Sequence, residues 1–377
     1  MKYCKYAYNY LYFDTYKGDV MLCPWMATKC GVIGNIFEND IDTLWNSEAA
    51  QKLRDAHTQN CFKYCRPQGC PRLQNNDFYE ITDEEEYKKL AQNHEYPTTI
   101  NLAYDFICNQ YCETCRPSVF IPPNGYAQKM DAIKEKIAPY LDKAEMITAS
   151  GHGDPFASPY MMELLENLRP KNKDITIQLE TNGVFCDKEH WKKIEHLKEN
   201  NLKIIVTVNS YNKFTYNHVS RGGNYEKLMK NLDFISELRK KEFIKNLVVS
   251  TVIQDRTFRE LPYFISHTLD TYCVDLVVLR PVYQWGTMSE KKFWFKDVLN
   301  PLHPYHQEYL EILQDPILKD KRVYNFGGNT VHPARDFEIV SNKCCCEQKP
   351  NQNIEQKAKK TENKIIRILK FLKALYN

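Results

Sequence analysis

The sequence predicts an α/β protein built on a partial (β/α)6 barrel of the TIM type, with a small cysteine-rich N-terminal domain and a C-terminal amphipathic helix. Between residues 98 and 282, short apolar, β-branched runs alternate with stretches of helical length, a pattern typical of parallel strands with covering helices. Polar and glycine-rich segments follow several of these runs. The chain also has fourteen cysteines, which are placed mainly before and at the start of the predicted barrel.

Six strand–helix units account for the barrel prediction. The predicted strands are Ile100–Ile107, Ala144–Ala149, Ile175–Leu179, Lys203–Val208, Leu247–Ile253 and Val274–Leu279. The helical stretches between them include Ser158–Leu168, Lys188–Glu199, Asn224–Lys240 and Phe258–Thr271. The first of these helices has a strong start signal, with Ser158 as N-cap and Pro159 at the first helical position. A barrel of this kind presents its chemistry at the C-terminal ends of its strands.

Three cysteines follow the first predicted strand: Cys108, Cys112 and Cys115, with the spacing C-x3-C-x2-C. Thiolate is the normal protein ligand of iron–sulfur clusters, so this loop can hold three corners of a cubane cluster. The fourth iron would then be open for chemistry, as at other catalytic metal centres. A zinc site without a nearby fourth ligand and chance thiols are the alternatives. Disulfides are not expected, because the N-terminus has no apolar signal core.

The cysteine loop, the strand before it and Asn109 together resemble the radical S-adenosylmethionine (SAM) superfamily. The resemblance implies a [4Fe–4S] cluster whose free iron chelates the amino and carboxylate groups of SAM. One departure is Thr114, which stands where that family often has an aromatic residue before the third cysteine.

Segments after four successive strands extend the resemblance. Ser150–Phe156 looks like the family's Gly-Gly-Glu segment for the SAM amino group, with Asp154 in place of the glutamate; a tight turn is the alternative. Thr181–Gly183 resembles the Thr-Asn-Gly turn, and Arg221 is a candidate fork for the SAM carboxylate. The SAM contacts implied in this way are Gly151, Gly153, Asp154, Glu180, Asn182, Asn209, Ser210, Arg221 and Leu279.

Residues 1–97 form a cysteine-rich lead with a predicted helix from about Ile41 to Thr58. It resembles the SPASM or twitch auxiliary-cluster region of radical SAM enzymes, although in most relatives that region follows the catalytic domain. The matching segments are Cys4, Gly18-x4-Cys23, Val32–Ile36, Leu44–Ser47, Leu53-Arg54 and Cys65-x4-Cys70-Pro71. The resemblance implies an auxiliary [4Fe–4S] cluster on Cys4, Cys23, Cys65 and Cys70, with Cys61 as the substitute for Cys4. Cys30 has no counterpart, and zinc is the alternative metal.

The predicted domains are residues 1–82 for the auxiliary cluster, 83–97 as a linker helix, 98–282 as the radical SAM core, 283–354 as an aromatic covering segment and 355–377 as a basic tail helix. The tail could contact an anionic membrane or the protein's own body. One of Cys344, Cys345 and Cys346 is a candidate late ligand of the auxiliary cluster. Cys186 and Cys273 are predicted buried apolar thiols.

Charge and hydropathy limit the functional classes. The net charge is +3, but the tail alone carries +5, so the body is slightly acidic and nucleic-acid binding is not expected. No run of apolar residues is long enough to span a membrane, and a cytoplasmic location is predicted.

The predicted function is that of a radical SAM enzyme. It would reductively cleave SAM and use the 5′-deoxyadenosyl radical to take hydrogen from a peptide, a protein or a nucleotide-linked sugar. The electron donor would be an external protein such as flavodoxin or ferredoxin. A non-catalytic scaffold that binds zinc or an iron–sulfur cluster is the alternative.

Overall fold

One ten-stranded sheet organises the chain in the computed structural model. The structure describes residues 2–26, 30–66, 70, 72–73, 78–92 and 95–326. The strands are β1 (Lys2–Tyr3), β2 (Tyr10–Phe13), β3 (Asp19–Met21), β4 (Val32–Asn35), β5 (Tyr79–Glu80), β6 (Thr99–Leu102), β7 (Met146–Ala149), β8 (Thr176–Thr181), β9 (Asn201–Thr207), β10 (Asn246–Ile253), β11 (Leu276–Pro281) and β12 (Val323–Asn325). The ten-stranded sheet has the strand order β12-β11-β10-β9-β8-β7-β6-β2-β3-β4. Strands β1 and β5 form a separate antiparallel pair.

The six predicted strands correspond to β6 to β11, and each pairs in parallel with the next. The α/β fold class with a parallel sheet is therefore confirmed. The first strand is shorter than predicted and ends at Leu102. Asp105 explains this, because its carboxylate accepts a hydrogen bond from the backbone N–H of Ile107 at 3.0 Å. Such a local turn takes the backbone out of the sheet.

The N-terminal region adds three strands that the sequence pattern did not reveal. Strand β2 pairs in parallel with β6, with Tyr10 opposite Thr99 and Phe13 opposite Leu102. Strands β3 and β4 continue the sheet in antiparallel order. The cysteine-rich lead thus shares one sheet with the predicted core, while the predicted domain bounds stay a prediction.

The α-helices, numbered in chain order, cover the sheet and its edges. They are α1 (Tyr6–Asn9), α2 (Ile41–Trp45), α3 (Glu48–Thr58), α4 (Glu84–Gln92), α5 (Tyr126–Leu141), α6 (Pro159–Asn167), α7 (Lys188–Ile194), α8 (Lys213–Val219), α9 (Tyr225–Lys240), α10 (Leu261–Thr271), α11 (Glu290–Lys296) and α12 (His306–Ile312). The single helix predicted from Ile41 to Thr58 is two helices, because the Ser47 hydroxyl caps α3 by accepting from the N–H of Ala50 at 3.1 Å. Helices α11 and α12 lie where no regular pattern was expected.

The two faces of the sheet differ in polarity. Along β8, Ile177 and Leu179 are fully buried in the main hydrophobic core, whereas Gln178 and Glu180 alternate with them on the opposite face. Arg280 Nη1 of β11 lies 3.3 Å from Glu180 Oε2, although β9 and β10 separate their strands. Such a contact is expected where a sheet curves toward that side, so we call this side the concave face.

Part of the predicted architecture falls outside the described residues: the basic tail helix and Cys344–Cys346. Among the helices that the structure describes, none combines the length and the apolar character needed to cross a membrane.

Candidate functional site

The three cysteines of the C-x3-C-x2-C motif lie on one half-buried loop directly beyond the C-terminal end of β6. Gln110 bridges two of them: its backbone N–H donates to Cys108 Sγ at 3.4 Å, and its side-chain oxygen accepts from Cys112 Sγ at 3.2 Å. Burial raises the pKa of Cys108 to about 12, with Asp154 adding to the effect. Burial also raises the pKa of Cys112, and the neighbouring Cys115 and Cys108 raise it further. A bound cation would reverse these shifts, which is what a metal–thiolate site requires.

Asp105 anchors the start of this loop, and it was not foreseen from the sequence. The carboxylate is 4% exposed and accepts from the Tyr126 hydroxyl at 2.7 Å and from the Ser158 hydroxyl. Arg116, directly after Cys115, donates to the backbone carbonyl of Phe106 at 2.8 Å. The loop is therefore closed on itself and fixed to two covering helices.

The glycine segment after β7 packs directly against the backbone before the cysteines. A Cβ at Gly153 would lie 2.6 Å from the carbonyl oxygens of Asp105 and Ile107, and a Cβ at Gly151, where φ is +107°, would lie 2.3 Å from the Ala103 Cβ. The backbone N–H of Asp154 donates to the Ile107 carbonyl at 2.9 Å. Only glycine permits this approach, so these residues shape the cysteine loop; their predicted contact with SAM stays a prediction.

Asp154 links three segments of the site. Its carboxylate is 3% exposed and accepts from the Thr181 hydroxyl at 2.9 Å and the Asn182 N–H at 2.7 Å. Burial raises its pKa, although these hydrogen bonds oppose the shift. Asn182 in turn donates from Nδ2 to Asn109 Oδ1 at 2.9 Å and approaches Cys108 Sγ at 3.8 Å. Asp154 thus positions Asn182 beside the first cysteine, and its role toward the SAM amino group stays a prediction.

The segment after β9 completes the wall around the cysteines. Asn209 has a φ of +65° and donates to the Ser220 hydroxyl at 2.9 Å, while the fully buried Ser210 donates to Glu260. The Arg221 guanidinium lies 4.9 Å from the centre of the Tyr111 ring and donates to the Arg116 carbonyl at 3.3 Å. Gly153, Asn182 and Arg221, which follow β7, β8 and β9, therefore all contact the cysteine segment.

Leu279 is placed differently from the other predicted contacts. Its side chain is fully buried in the main core, and its carbonyl accepts from the Phe326 N–H at 2.9 Å. The next residue, Arg280, presents its side chain to the concave face, where Glu180 also lies. The period of two along a strand could have assigned these faces in advance.

The four cysteines predicted for the auxiliary cluster line a single cavity of about 270 Å³. This volume greatly exceeds the ~30 Å³ share of one water molecule, so a group of several atoms has room there. Its cysteine lining consists of Cys4, Cys23, Cys65 and Cys70. Residues more than sixty positions apart in the chain therefore converge as the resemblance implied.

The electrostatics of this cavity also suit a bound metal cluster. Burial raises the pKa of Cys4, Cys23 and Cys65, and Coulombic repulsion from the neighbouring thiols adds to each shift. Four crowded thiols cannot ionise together unless positive charge compensates them. Iron or zinc would supply that charge, so the donor set fits either metal.

His57 is a further residue of this cavity that the sequence did not single out. It is 1% exposed, and its Nε2 lies 3.4 Å from Cys65 Sγ. Burial lowers its pKa to about 4, which keeps the imidazole neutral. By contrast, Cys61 does not line the cavity, and Cys30 is disulfide-bonded, so the expectation that disulfides are absent is wrong at Cys30.

Within the described residues, no three His, Cys, Asp or Glu side chains are arranged to hold one metal ion. A cubane makes a different demand, because each of its cysteines binds a separate iron. The predicted buried thiols behave as expected for Cys186, which is fully buried, whereas Cys273 is half-buried.

Comparison with protein families identifies both regions. Residues 106–264 match the radical SAM superfamily, and residues 4–71 match the iron–sulfur cluster-binding SPASM domain. The chain thus carries a radical SAM domain preceded by a SPASM domain, which confirms the resemblance drawn from the sequence. SAM, its [4Fe–4S] cluster and an auxiliary cluster are the cofactors that these two domains take.

Curated relatives include two proteins named GTP 3′,8-cyclase. The one from Limosilactobacillus fermentum is 23% identical over 49% of this chain and 53% of its own length. The one from Lactiplantibacillus plantarum is 22% identical over 50% and 54%. The chain therefore spans about half the length of these relatives. Among solved structures, SuiB from Streptococcus suis bound to S-adenosylmethionine matches with a TM-score of 0.43 and 11% identity, covering 81% of this chain and 67% of that one.

Proposed function

We propose that this chain, with its radical SAM and SPASM domains, reductively cleaves SAM and abstracts hydrogen from a substrate. The observation that carries the proposal is the single loop on which Cys108, Cys112 and Cys115 lie, with segments from three successive strands packed against it. Cys108, Cys112 and Cys115 would hold a [4Fe–4S] cluster, which would supply the one-electron reduction that cleavage of SAM requires.

The chain's own residues would bind and orient SAM. In the proposal, Arg221 pairs with the SAM carboxylate, for which a guanidinium fork is well suited. Its guanidinium lies against the cysteine loop, 4.9 Å from the centre of the Tyr111 ring, which supports this role. Asn182, held by Asp154 and directed toward Cys108, would fix the side of the cluster that faces SAM. Asn209 and Ser210 would border the ribose.

The auxiliary cluster is proposed to bind to Cys4, Cys23, Cys65 and Cys70. The cavity volume of about 270 Å³ and the mutual repulsion of its buried thiols support this ligand set. Burial raises the pKa of the Tyr10 hydroxyl, and Cys23 of the cavity and Glu180 of β8 both add to that shift. An auxiliary cluster there could exchange an electron with a substrate or hold it in place.

The substrate is proposed to be a peptide or protein side chain or a nucleotide-linked sugar. An external protein such as flavodoxin or ferredoxin would donate the electron. The similarity to GTP 3′,8-cyclases favours a small molecule, but it covers only half of those enzymes. A peripheral membrane contact through residues 355–377 and a cytoplasmic location stay predictions.

The test is anaerobic purification and reconstitution of the full chain, followed by iron, sulfide and zinc counts. Two cubanes correspond to about eight irons per chain. The loaded protein is then incubated with SAM and dithionite, and 5′-deoxyadenosine is measured. Zinc without iron would favour the scaffold, and a fully loaded chain that forms no 5′-deoxyadenosine would refute the enzymatic proposal.

A further inference from the structure

The concave face of the sheet carries charged and polar residues beside a small buried apolar cluster of Ile205, Val248 and Val278. Parallel strands are normally buried on both faces and carry apolar residues on each. Here the outward positions of β8 and β9 are apolar and buried, for example Ile177, Leu179 and Ile204. The inward positions include Gln178, Glu180 and Lys203, each of them half-buried. A polar ligand against this face would account for the difference.

Glu180 and Arg280 form the centre of this polar face. Arg280 Nη1 lies 3.3 Å from Glu180 Oε2, and the other carboxylate oxygen accepts from Gln178 at 3.1 Å. The side chains of Arg280 and Glu180 remain 29% and 26% exposed, so a ligand can reach them. The Nε of Arg280 is buried and has no hydrogen-bond partner in the described part of the chain. The guanidinium therefore has donor capacity left after pairing with Glu180.

Lys203 adds a second cation to the same face. Strand register places it directly opposite Gln178 of β8, and β9 lies between β8 and β10. Within the described residues its ammonium makes no hydrogen bond or ion pair. Burial lowers its pKa, with Glu180 opposing and Arg280 adding to that shift, so all three charges act on one another.

The balance of charge on this face is positive. The charged side chains that β8 to β11 direct to it are Lys203, Arg280 and Glu180. One carboxylate therefore faces two cations. A half-buried cation without a partner is costly, and an anion from a ligand would remove that cost.

An aromatic group borders the same region where β11 ends. Tyr283 and Trp285 follow Arg280 in the chain, and their rings lie 5.4 Å apart. Trp25 of the cysteine-rich lead contacts both, at 5.2 Å and 6.0 Å between ring centres. Trp285 is 48% exposed, so part of this surface is open. Exposed rings of this kind can stack on a sugar or a nucleobase.

We propose that Lys203 and Arg280 bind a phosphoryl group of the substrate, which is then a phosphorylated small molecule such as a nucleotide-linked sugar rather than a peptide. The inference rests on the proposed function and names its substrate class. A phosphoryl group carries more negative charge and more acceptor oxygens than a carboxylate, which suits two cations placed on the same face of the sheet, on β9 and β11. The aromatic group would hold the ring that bears the phosphate.

The probe is uridine diphosphate, titrated calorimetrically into the anaerobically reconstituted full chain saturated with SAM. Uridine is the uncharged counterpart, and an N-acetylated dipeptide acid is the carboxylate counterpart. Lys203→Met and Arg280→Met are each expected to weaken uridine diphosphate binding about tenfold or more, as the loss of a charged hydrogen bond does. Lys203→Arg should retain most of the affinity. Lys173→Met, which changes a lysine 65% exposed and paired with Glu199, is the control and should bind like the wild type.

Several results would overturn the inference. The inference fails if both methionine variants bind uridine diphosphate as tightly as the wild type does. It also fails if the wild type does not bind uridine diphosphate, or binds uridine equally well. Binding of the dipeptide acid alone, in a way that depends on Lys203, would likewise contradict it. If Arg280→Met unfolds because Glu180 loses its partner, the double variant Glu180→Gln/Arg280→Met replaces it. The proposed function is tested separately, by measuring 5′-deoxyadenosine formed from SAM in the wild-type sample. SAM cleavage without phosphate binding rejects this inference alone, and phosphate binding without SAM cleavage rejects the proposed function alone.

Discussion

Lys296 of helix α11 donates from Nζ to Glu113 Oε2 at 2.8 Å, which ties the segment after the barrel to the interior of the cysteine loop. Glu113 lies between Cys112 and Cys115, so this ion pair acts on the loop proposed to carry the SAM cluster. The lysine is only 5% exposed and also donates to Asp255 Oδ1 at 2.9 Å. The aromatic covering segment is therefore part of the support of the cluster site.

Replacing Lys296 should destabilise the protein. Lys296→Met leaves two half-buried carboxylates without their cation, and breaking such a pair costs about 3 kcal/mol. The free energy of unfolding from urea titration measures this loss. Lys292→Met is the matched control, because the Lys292 ammonium donates to the Glu113 backbone carbonyl at 3.2 Å and not to a buried pair of carboxylates. Equal stability of the two variants would contradict the role assigned to Lys296, and Lys296→Met/Glu113→Gln should recover part of the loss.

Removing any cysteine of the C-x3-C-x2-C loop should cost one cluster and the cleavage of SAM. We expect Cys108→Ala, Cys112→Ala and Cys115→Ala each to retain about four irons per chain instead of about eight. Iron analysis and 5′-deoxyadenosine formation are the measurements. Cys273→Ala serves as the control, since the Cys273 backbone N–H, not its thiol, bonds to Ser236. A loop variant that still cleaves SAM would argue against this ligand set.

Replacing a cysteine of the auxiliary cavity should cost the auxiliary cluster instead of the SAM cluster. Alanine at Cys4, Cys23, Cys65 or Cys70 should reduce the iron content to about four per chain and leave the SAM cluster in place. Because Cys61 is not among the cavity residues, Cys61→Ala should keep both clusters. Loss of iron in Cys61→Ala with full iron in Cys4→Ala would show that Cys61 replaces Cys4.

Gly153 is expected to be intolerant of even one added methyl group. Its Cβ would lie 2.6 Å from two backbone carbonyl oxygens in the cysteine segment, and overpacking of this kind costs about 1–3 kcal/mol. Gly153→Ala should therefore lower the thermal midpoint and weaken retention of the SAM cluster. Gly286→Ala is the comparison, because a Cβ at Gly286 would have no other atom within 4 Å. The strain of that substitution comes from the backbone, whose φ is +81°, and not from packing. If Gly286→Ala lost as much iron, the close packing at Gly153 would not be the cause.

Local sequence patterns were sufficient for the parts of this protein that depend on neighbouring residues. The β-branched runs predicted all six core strands, because strand preference and burial are expressed over a few residues. Ser158 and Pro159 predicted the start of α6, where the serine hydroxyl accepts from the Met161 N–H at 3.2 Å. The cysteine spacing predicted a common loop, since eight residues of chain cannot separate the thiols far.

Contacts between segments far apart in the chain could not be predicted from local sequence patterns. Strand β2 is buried at every position and shows no alternation, so its pairing with β6 had no local signal. Asp105 carried no motif, yet it fixes the cysteine loop through residues 21 and 53 positions away.

The sequence by itself predicted the order of the six core strands and the helices between them, the candidate cysteines of both cluster regions and the family. The tertiary structure decided which of these residues meet: four distant cysteines around one cavity, Lys296 with Glu113, and Arg280 with Glu180 across two strands. The physical reason is that periodicity and spacing record interactions within one turn or strand. Contacts between distant segments depend on how the faces of those elements pack, which no short stretch of chain specifies.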